Sequence, residues 1–255
     1  MPENNQILEL QRLRKVFGGV VALDDLSFAV KRNSITSVIG PNGAGKTTVF
    51  NLITGYLRPT SGALVYKGSF LKSENPHRMA AMGIGRTFQN VQVFADMTGL
   101  ENVMVGRHLR SSAGIIVSGL LPSFLRSEEK QVTEDAARCL EFVGLAQAAD
   151  KPAGALPLGN QRMLEIARAL AIEPDLLLLD EPASGLNSRE TIAMGELIGR
   201  IRQKGITVML VEHDMELVMD ISDNVAVMNF GKLLAEGTPR EIQQNMEVIS
   251  AYLGE

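Results

Sequence analysis

The stretch Ser34-Ile-Thr-Ser-Val-Ile-Gly-Pro-Asn-Gly-Ala-Gly-Lys-Thr-Thr-Val-Phe-Asn-Leu-Ile53 carries most of the fold in one line. An uninterrupted apolar run ends at Gly40, a glycine-rich loop follows, and an apolar pattern at Val49, Phe50, Leu52 and Ile53 restarts with helical spacing. Between them, Gly40 to Thr47 is a full G-x-x-x-x-G-K-[ST] match in its required setting of buried strand, loop and helix. The glycines let successive backbone N–H groups converge on phosphate oxygens, and the helix N-terminus adds partial positive charge. Gly40, Asn42, Gly43, Gly45, Lys46, Thr47 and Thr48 are therefore expected to cradle a nucleoside triphosphate, with Lys46 on the β and γ phosphates and Thr47 holding Mg2+.

A loop of this type needs an acid on a nearby strand. Leu176-Leu-Leu-Leu-Asp180 supplies one at the end of a wholly apolar run, and Glu181 follows it directly. Asp180 reads as the magnesium acid and Glu181 as the base that orients and deprotonates an attacking water, with Pro182 ending the strand. A second apolar run, Ile206 to Val211, ends near His213, which can face the same ligand.

Outward from these runs, the chain from Leu164 alternates in βαβ fashion: a helix to Ile172, strand DLLLLD, helix 188–203, strand ITVMLVE, a short helix from Met215 and strand NVAVMNF. Apolar strands joined by helices imply a parallel sheet covered on both faces. Asn187 with Glu190 forms a capping-box pattern that starts the long helix. The first 70 residues predict strands at Ile7, Leu26, Ser34 and Ala63, several of them short and separated by charged turns, as an antiparallel layer alongside the start of a buried sheet. Segments around 97–109 and 128–143 predict a helical portion, and two short helices are expected from Thr238.

Composition narrows the function. Against 25 Lys and Arg stand 29 Asp and Glu, and no basic run appears, which argues against nucleic acid as a partner. The longest weakly polar stretch, Ala113 to Leu125, falls short of the roughly 20 residues needed to span a bilayer and contains Pro122. The N-terminus has no apolar run of signal-peptide type, and the single Cys139, on a helical face with Ala136, Leu140 and Val143, reads as a buried inert thiol in a reducing compartment. His77 and His108 read as solvated.

In order, these motifs resemble the ATP-binding subunits of ABC transporters over nearly the whole chain. The resemblance implies a P-loop NTPase of ABC type, with a mostly parallel core sheet, an antiparallel β portion and a helical subdomain. It implies one domain over 1–255: an α/β core at 1–88 and 160–240, a helical subdomain with the signature at 89–159, and a C-terminal helix at 241–255. Phe17 in RKVFGG matches the aromatic that stacks on adenine. Gln89 in GRTFQN matches the glutamine that joins the two portions and reaches Mg2+, Ser184 to Asn187 the loop that crosses the dimer interface, and His213 in VEHDM the switch histidine. The family's Leu-Ser-Gly-Gly-Gln signature stands here as Leu156-Pro157-Leu158-Gly159-Asn160. Pro157 offers neither hydroxyl nor N–H, so Gly159 and the helix behind it are expected to contact the ATP of the partner subunit.

The GRTFQ context, the insertion at 115–125, the GNQRMLEIARAL run, EHDMELVMDISD and the ending AYLGE look like the LivG-type ATPases of branched-chain amino acid importers. That resemblance implies a second ATP-binding subunit, as homo- or heterodimer, two membrane permease subunits and, indirectly, a periplasmic solute-binding protein, with the chain at the cytoplasmic face of the inner membrane. The ATPase of another transporter and a non-hydrolysing ATP-binding regulator remain as alternatives.

Overall fold

Each apolar run becomes a strand with no exposed residue: β3 (Ile35–Ile39), β7 (Leu176–Asp180) and β8 (Thr207–Val211) are buried throughout. A computed structural model describes residues 5–71, 75–107 and 122–253 of the chain. With β6 (Ile84–Arg86), β9 (Asn224–Asn229) and β10 (Lys232–Gly237), these strands form a six-stranded sheet in the order β10-β9-β3-β8-β7-β6, parallel except for the β9–β10 hairpin. Alternation along β7 shows why the runs are apolar on both sides. Leu176 and Leu178 enter one core, while Leu177 and Leu179 enter the other.

The first core lies between this sheet and a four-stranded antiparallel sheet made of β1 (Gln6–Phe17), β2 (Val20–Lys31), β4 (Ser61–Tyr66) and β5 (Ser69–Phe70), ordered β2-β1-β4-β5. Helix α1 (Lys46–Ile53) is the filling, with Val49, Phe50, Leu52 and Ile53 packed between the two sheets. Its N-terminus, and with it the glycine loop, is thereby held at the rim where the parallel strands end.

The second core joins the other face of the sheet to α6 (Ser188–Gln203) and to a helical portion of α3 (Gly99–Arg107), α4 (Pro122–Phe142) and α5 (Leu158–Leu170). Helix α5 spans the expected boundary at 159/160 and packs on α3 and α4 as well as on the sheet. The capping box of Asn187 and Glu190 is present at the start of α6. Helices α7 (Met215–Ile221), α8 (Pro239–Gln243) and α9 (Met246–Leu253) close a smaller cluster around Ile39, Val225 and Val227. Among the described residues no helix is long and apolar enough to cross a membrane.

Three features depart from the sequence reading. The strands expected to be short are twelve residues each in β1 and β2, because the charged positions taken for turns are irregularities inside continuous strands. Arg12 and Asp25 have left-handed backbones, and Arg14 pairs with Asp24 across the ladder at 2.5 Å. Helix α2 (Pro76–Ala81) and strands β6 and β10 have no counterpart in that reading. Cys139 is half-buried rather than buried: it packs on the Ala136 and Leu140 cluster but also lines a side cleft with Arg107, Phe142 and Lys204, and burial raises its thiol pKa. His77 is exposed, as expected; His108 and the part of the apolar insertion at 113–121 lie outside the described residues.

Candidate nucleotide site

Strands β3, β8 and β7 are neighbours and parallel, so their C-terminal ends deliver the glycine loop, the 212–213 corner and the 180–181 corner to one rim. A cleft of about 230 Å3 opens there, lined by Asn42, Gly43, Gly45, Lys46, Thr47 and Thr48 of the loop, by Gln89, Glu181 and His213 opposite, and by Ala22 and Ala44. Nine residues singled out in the sequence thus share one cavity.

The loop needs glycine where the backbone is pressed. A Cβ at Gly40 would collide with the carbonyl of Met228, and at Gly45 (φ 100°) it would come within 2.8 Å of the Ala22 carbonyl. Lys46 is folded over the loop, donating to the carbonyls of Gly40 at 2.5 Å and Pro41 at 3.0 Å, and is 7 % exposed. Burial pushes its ammonium below the usual lysine range, and the Glu181 and Asp180 carboxylates work in the opposite direction.

Glu181 is the hub of the opposite wall. Its Oε1 meets His213 Nε2 at 2.7 Å and its Oε2 accepts from Gln89 Nε2 at 3.0 Å. Its backbone N–H donates to the Val211 carbonyl at 2.9 Å, and its φ of 50° turns the chain sharply out of β7. Asp180 lies deeper, 2 % exposed, outside the lining of the cleft. Its Oδ2 accepts from the buried Arg86 at 2.9 Å. Arg86 also donates to Asn51 Oδ1 (2.7 Å) on α1 and to Thr54 Oγ1 (3.1 Å) at its C-cap, with the rings of Phe50 and Phe88 against the guanidinium.

The remaining predicted residues stand apart. Phe17 ends β1, 45 % exposed with Lys15 over its ring at 4.9 Å, on the hairpin that supplies Ala22 to the cleft wall. Gly159 is buried near the start of α5, where a Cβ would come within 2.8 Å of the Glu190 carboxylate. Leu158 is 44 % exposed, and Pro157 before it is exposed too. Pro157 is the N-cap and no side chain caps the first turn of α5.

A family model described as "ABC transporter" matches residues 23–184, and one described as "Branched-chain amino acid ATP-binding cassette transporter" matches 232–255. The chain belongs to the ABC transporter family. It is 46% identical to the high-affinity branched-chain amino acid transport ATP-binding protein BraF of Pseudomonas aeruginosa and 45% identical to the corresponding LivG of Escherichia coli, covering 98% of both chains in each case. An ABC cassette solved in its ADP conformation superposes with a TM-score of 0.86 at 32% identity, covering 98% of this chain and 99% of that one. This chain is accordingly a nucleotide-binding ABC ATPase subunit.

In this ABC subunit, sequence reasoning passed over three buried charged residues next to the cleft. Arg86 is the anchor of Asp180. Arg162 on α5 donates to the carbonyls of Phe88 (3.3 Å) and Ser184 (3.4 Å), joining the segments on either side of the site. Glu212, between β8 and His213, holds backbone N–H groups. Only one signal in the sequence pointed to them: each is a charge inside or directly beside an apolar pattern, where an unpaired charge is expensive.

Proposed function

We propose that this chain hydrolyses ATP to drive branched-chain amino acid uptake, working at the cytoplasmic face of the inner membrane. In this reading it pairs with a second ATP-binding subunit, serves two permease subunits and acts indirectly with a periplasmic solute-binding protein. The observation that carries it is Glu181 held between His213 and Gln89 at the mouth of the loop cleft. The solute class comes from the relatives BraF and LivG, each matched over 98% of this chain.

Chemically, the cleft offers N–H groups and the Lys46 ammonium to the phosphates of ATP, with Phe17 stacking on adenine. Phosphate oxygens replace the loop carbonyls that Lys46 holds here. A water oxygen bonds to the γ phosphorus and its proton passes to the Glu181 carboxylate. The bond from that phosphorus to the bridging oxygen breaks, and its electron pair leaves with ADP. His213 fixes the Glu181 carboxylate and stands ready to bond the γ phosphate.

The donor set fits Mg2+: the Thr47 hydroxyl, the Asp180 carboxylate and the Gln89 carboxamide are hard oxygen donors, too few to enclose an ion without phosphate and water. When bound, Mg2+ would neutralise charge on the transferred phosphoryl group. Arg86 leaves the Asp180 carboxylate fixed for that role.

The helical portion is assigned to the permease. Between it, α2, β6 and the turn after α1 runs a groove of about 590 Å3, lined by Tyr56, Met79, Phe88, Phe94, Val105 and Ile172 among others, which suits an apolar segment of a membrane partner. The bare N-terminus of α5 is assigned to the partner subunit's nucleotide. Reconstitution with permeases, partner ATPase and binding protein tests the reading. ATPase activity stimulated by leucine, isoleucine or valine is expected; stimulation only by another solute class would reassign the transporter.

A further inference from the structure

Glu212 is one of the most deeply buried acids in the described structure, 4 % exposed, and it does not line the nucleotide cleft. No lysine, arginine or histidine forms an ion pair with it among the described residues. Instead its carboxylate accepts backbone N–H groups from two different loops. Oε1 accepts from Ala183 at 2.7 Å, in the segment that leads from Glu181 to the loop 184–187. Oε2 accepts from His213 at 2.9 Å and more weakly from Asp214 at 3.4 Å.

An apolar side chain would fill the same space without a desolvation cost, so burying a carboxylate here needs a physical reason. Two acceptor oxygens on one planar group can bind donors from two loops at once, which no hydroxyl can do over this span. The two loops so joined are those that carry the Glu181 carboxylate and the His213 ring, whose contact at 2.7 Å depends on their relative height. The β7–β8 ladder ends beside this point, with Asp180 opposite Val211 and the Glu181 N–H donating to the Val211 carbonyl.

We infer that Glu212 is a positioning residue for hydrolysis: it locks the loop after β7 to the loop after β8 and so sets His213 against Glu181. It touches neither nucleotide nor the reacting atoms. The inference rests on the roles proposed for Glu181 and His213, and the test separates the two.

The variants Glu212→Gln, His213→Ala and the double variant are compared in the full chain reconstituted with its partner subunits. Nucleotide affinity is read by titration and turnover by single-turnover hydrolysis. An amide keeps the shape of Glu212 but turns an NH2 toward one of the two loops, breaking one tie. Affinity for ATP should stay within about twofold of the parent, because the 40–48 loop is untouched. Turnover should fall about 10- to 100-fold, the scale of a misplacement of about 1 Å at a reacting centre. In the His213→Ala background, adding Glu212→Gln should change turnover by less than about twofold, because a residue acting through His213 has nothing left to position.

Equal fold-losses in both backgrounds would mean that Glu212 acts by general support of the fold, and the inference fails. It fails also if Glu212→Gln turns over like the parent or loses affinity as much as rate. Parental turnover in His213→Ala alone would overturn the role of His213 itself, and the inference with it. If Glu212→Gln does not accumulate as folded protein, Glu212→Asp enters the same cycle: it keeps the charge but is one methylene short, and the same non-additivity is expected.

Discussion

The rim of the parallel sheet and the N-terminus of α5 are both anion-seeking places, yet they are built in opposite ways. At the rim, groups from four segments converge within one chain, and Lys46, Glu181, Gln89 and His213 already hold partners. At α5, Pro157 leaves the first turn uncapped, Leu158 faces outward, and Gly159 is shut against Glu190. At the rim the groups that face the nucleotide cleft come from one chain and hold one another in place. At α5 the end of the helix has no side-chain cap within its own chain, which is why it is assigned to the partner subunit.

That contrast is sharpest at Gly159. Replacing it with Asp should abolish ATP-driven closure with the partner subunit while nucleotide binding at the chain's own loop survives. The structure adds a mechanism: the new carboxylate would meet Glu190, which caps α6, so two negative charges would crowd the helix end. Gly159→Ala, which displaces Glu190 without adding charge, should still close. ATP-dependent dimerisation and own-site nucleotide titration check both, and loss of own-site binding in the Asp variant would erase the distinction between the two regions.

On the rim side, Arg86→Met should destabilise the fold by about 3–5 kcal/mol, the range for leaving one partner of a buried pair uncompensated. Adding Asp180→Asn should recover part of that loss in denaturant unfolding, since the orphaned charge is gone. Additive losses would mean that the pair is not the source.

Phe17→Ala should weaken ATP binding by roughly 1–3 kcal/mol, the usual worth of stacking a base on an aromatic, and leave turnover at saturating ATP unchanged. An unchanged titration would remove Phe17 from the site. The smallest effect is expected for Pro157→Ser, which restores a capping hydroxyl and should leave ATPase activity equal or modestly higher than the parent; a severe loss would show that the proline is required.

The rim was legible because its parts are contiguous. A strand, a glycine loop and a helix start are read in one stretch, and Asp180 with Glu181 closes a wholly apolar run. Long-range partners were not legible. Arg86 meets Asp180 across 94 residues and Glu212 meets Ala183 across 29, and no local pattern tells a buried arginine in GRTFQ from a solvated one. The length of β1 and β2 was hidden for a related reason: cross-strand pairs such as Arg14 with Asp24 make charges at home inside an exposed ladder, where sequence alone suggests turns. Strand β10 was missed because it is half-exposed at a sheet edge and lacks a continuous apolar run.

The central claim is that Glu181 is the base for hydrolysis, and Glu181→Gln tests it most directly. The amide retains the shape of the side chain but lacks the basic oxygen that takes the water's proton. Reconstituted with its partner subunit and given labelled MgATP, the variant should bind nucleotide, accumulate as a closed dimer holding intact ATP, and release almost no phosphate. Phosphate release at the parental rate would contradict the account and place the base elsewhere.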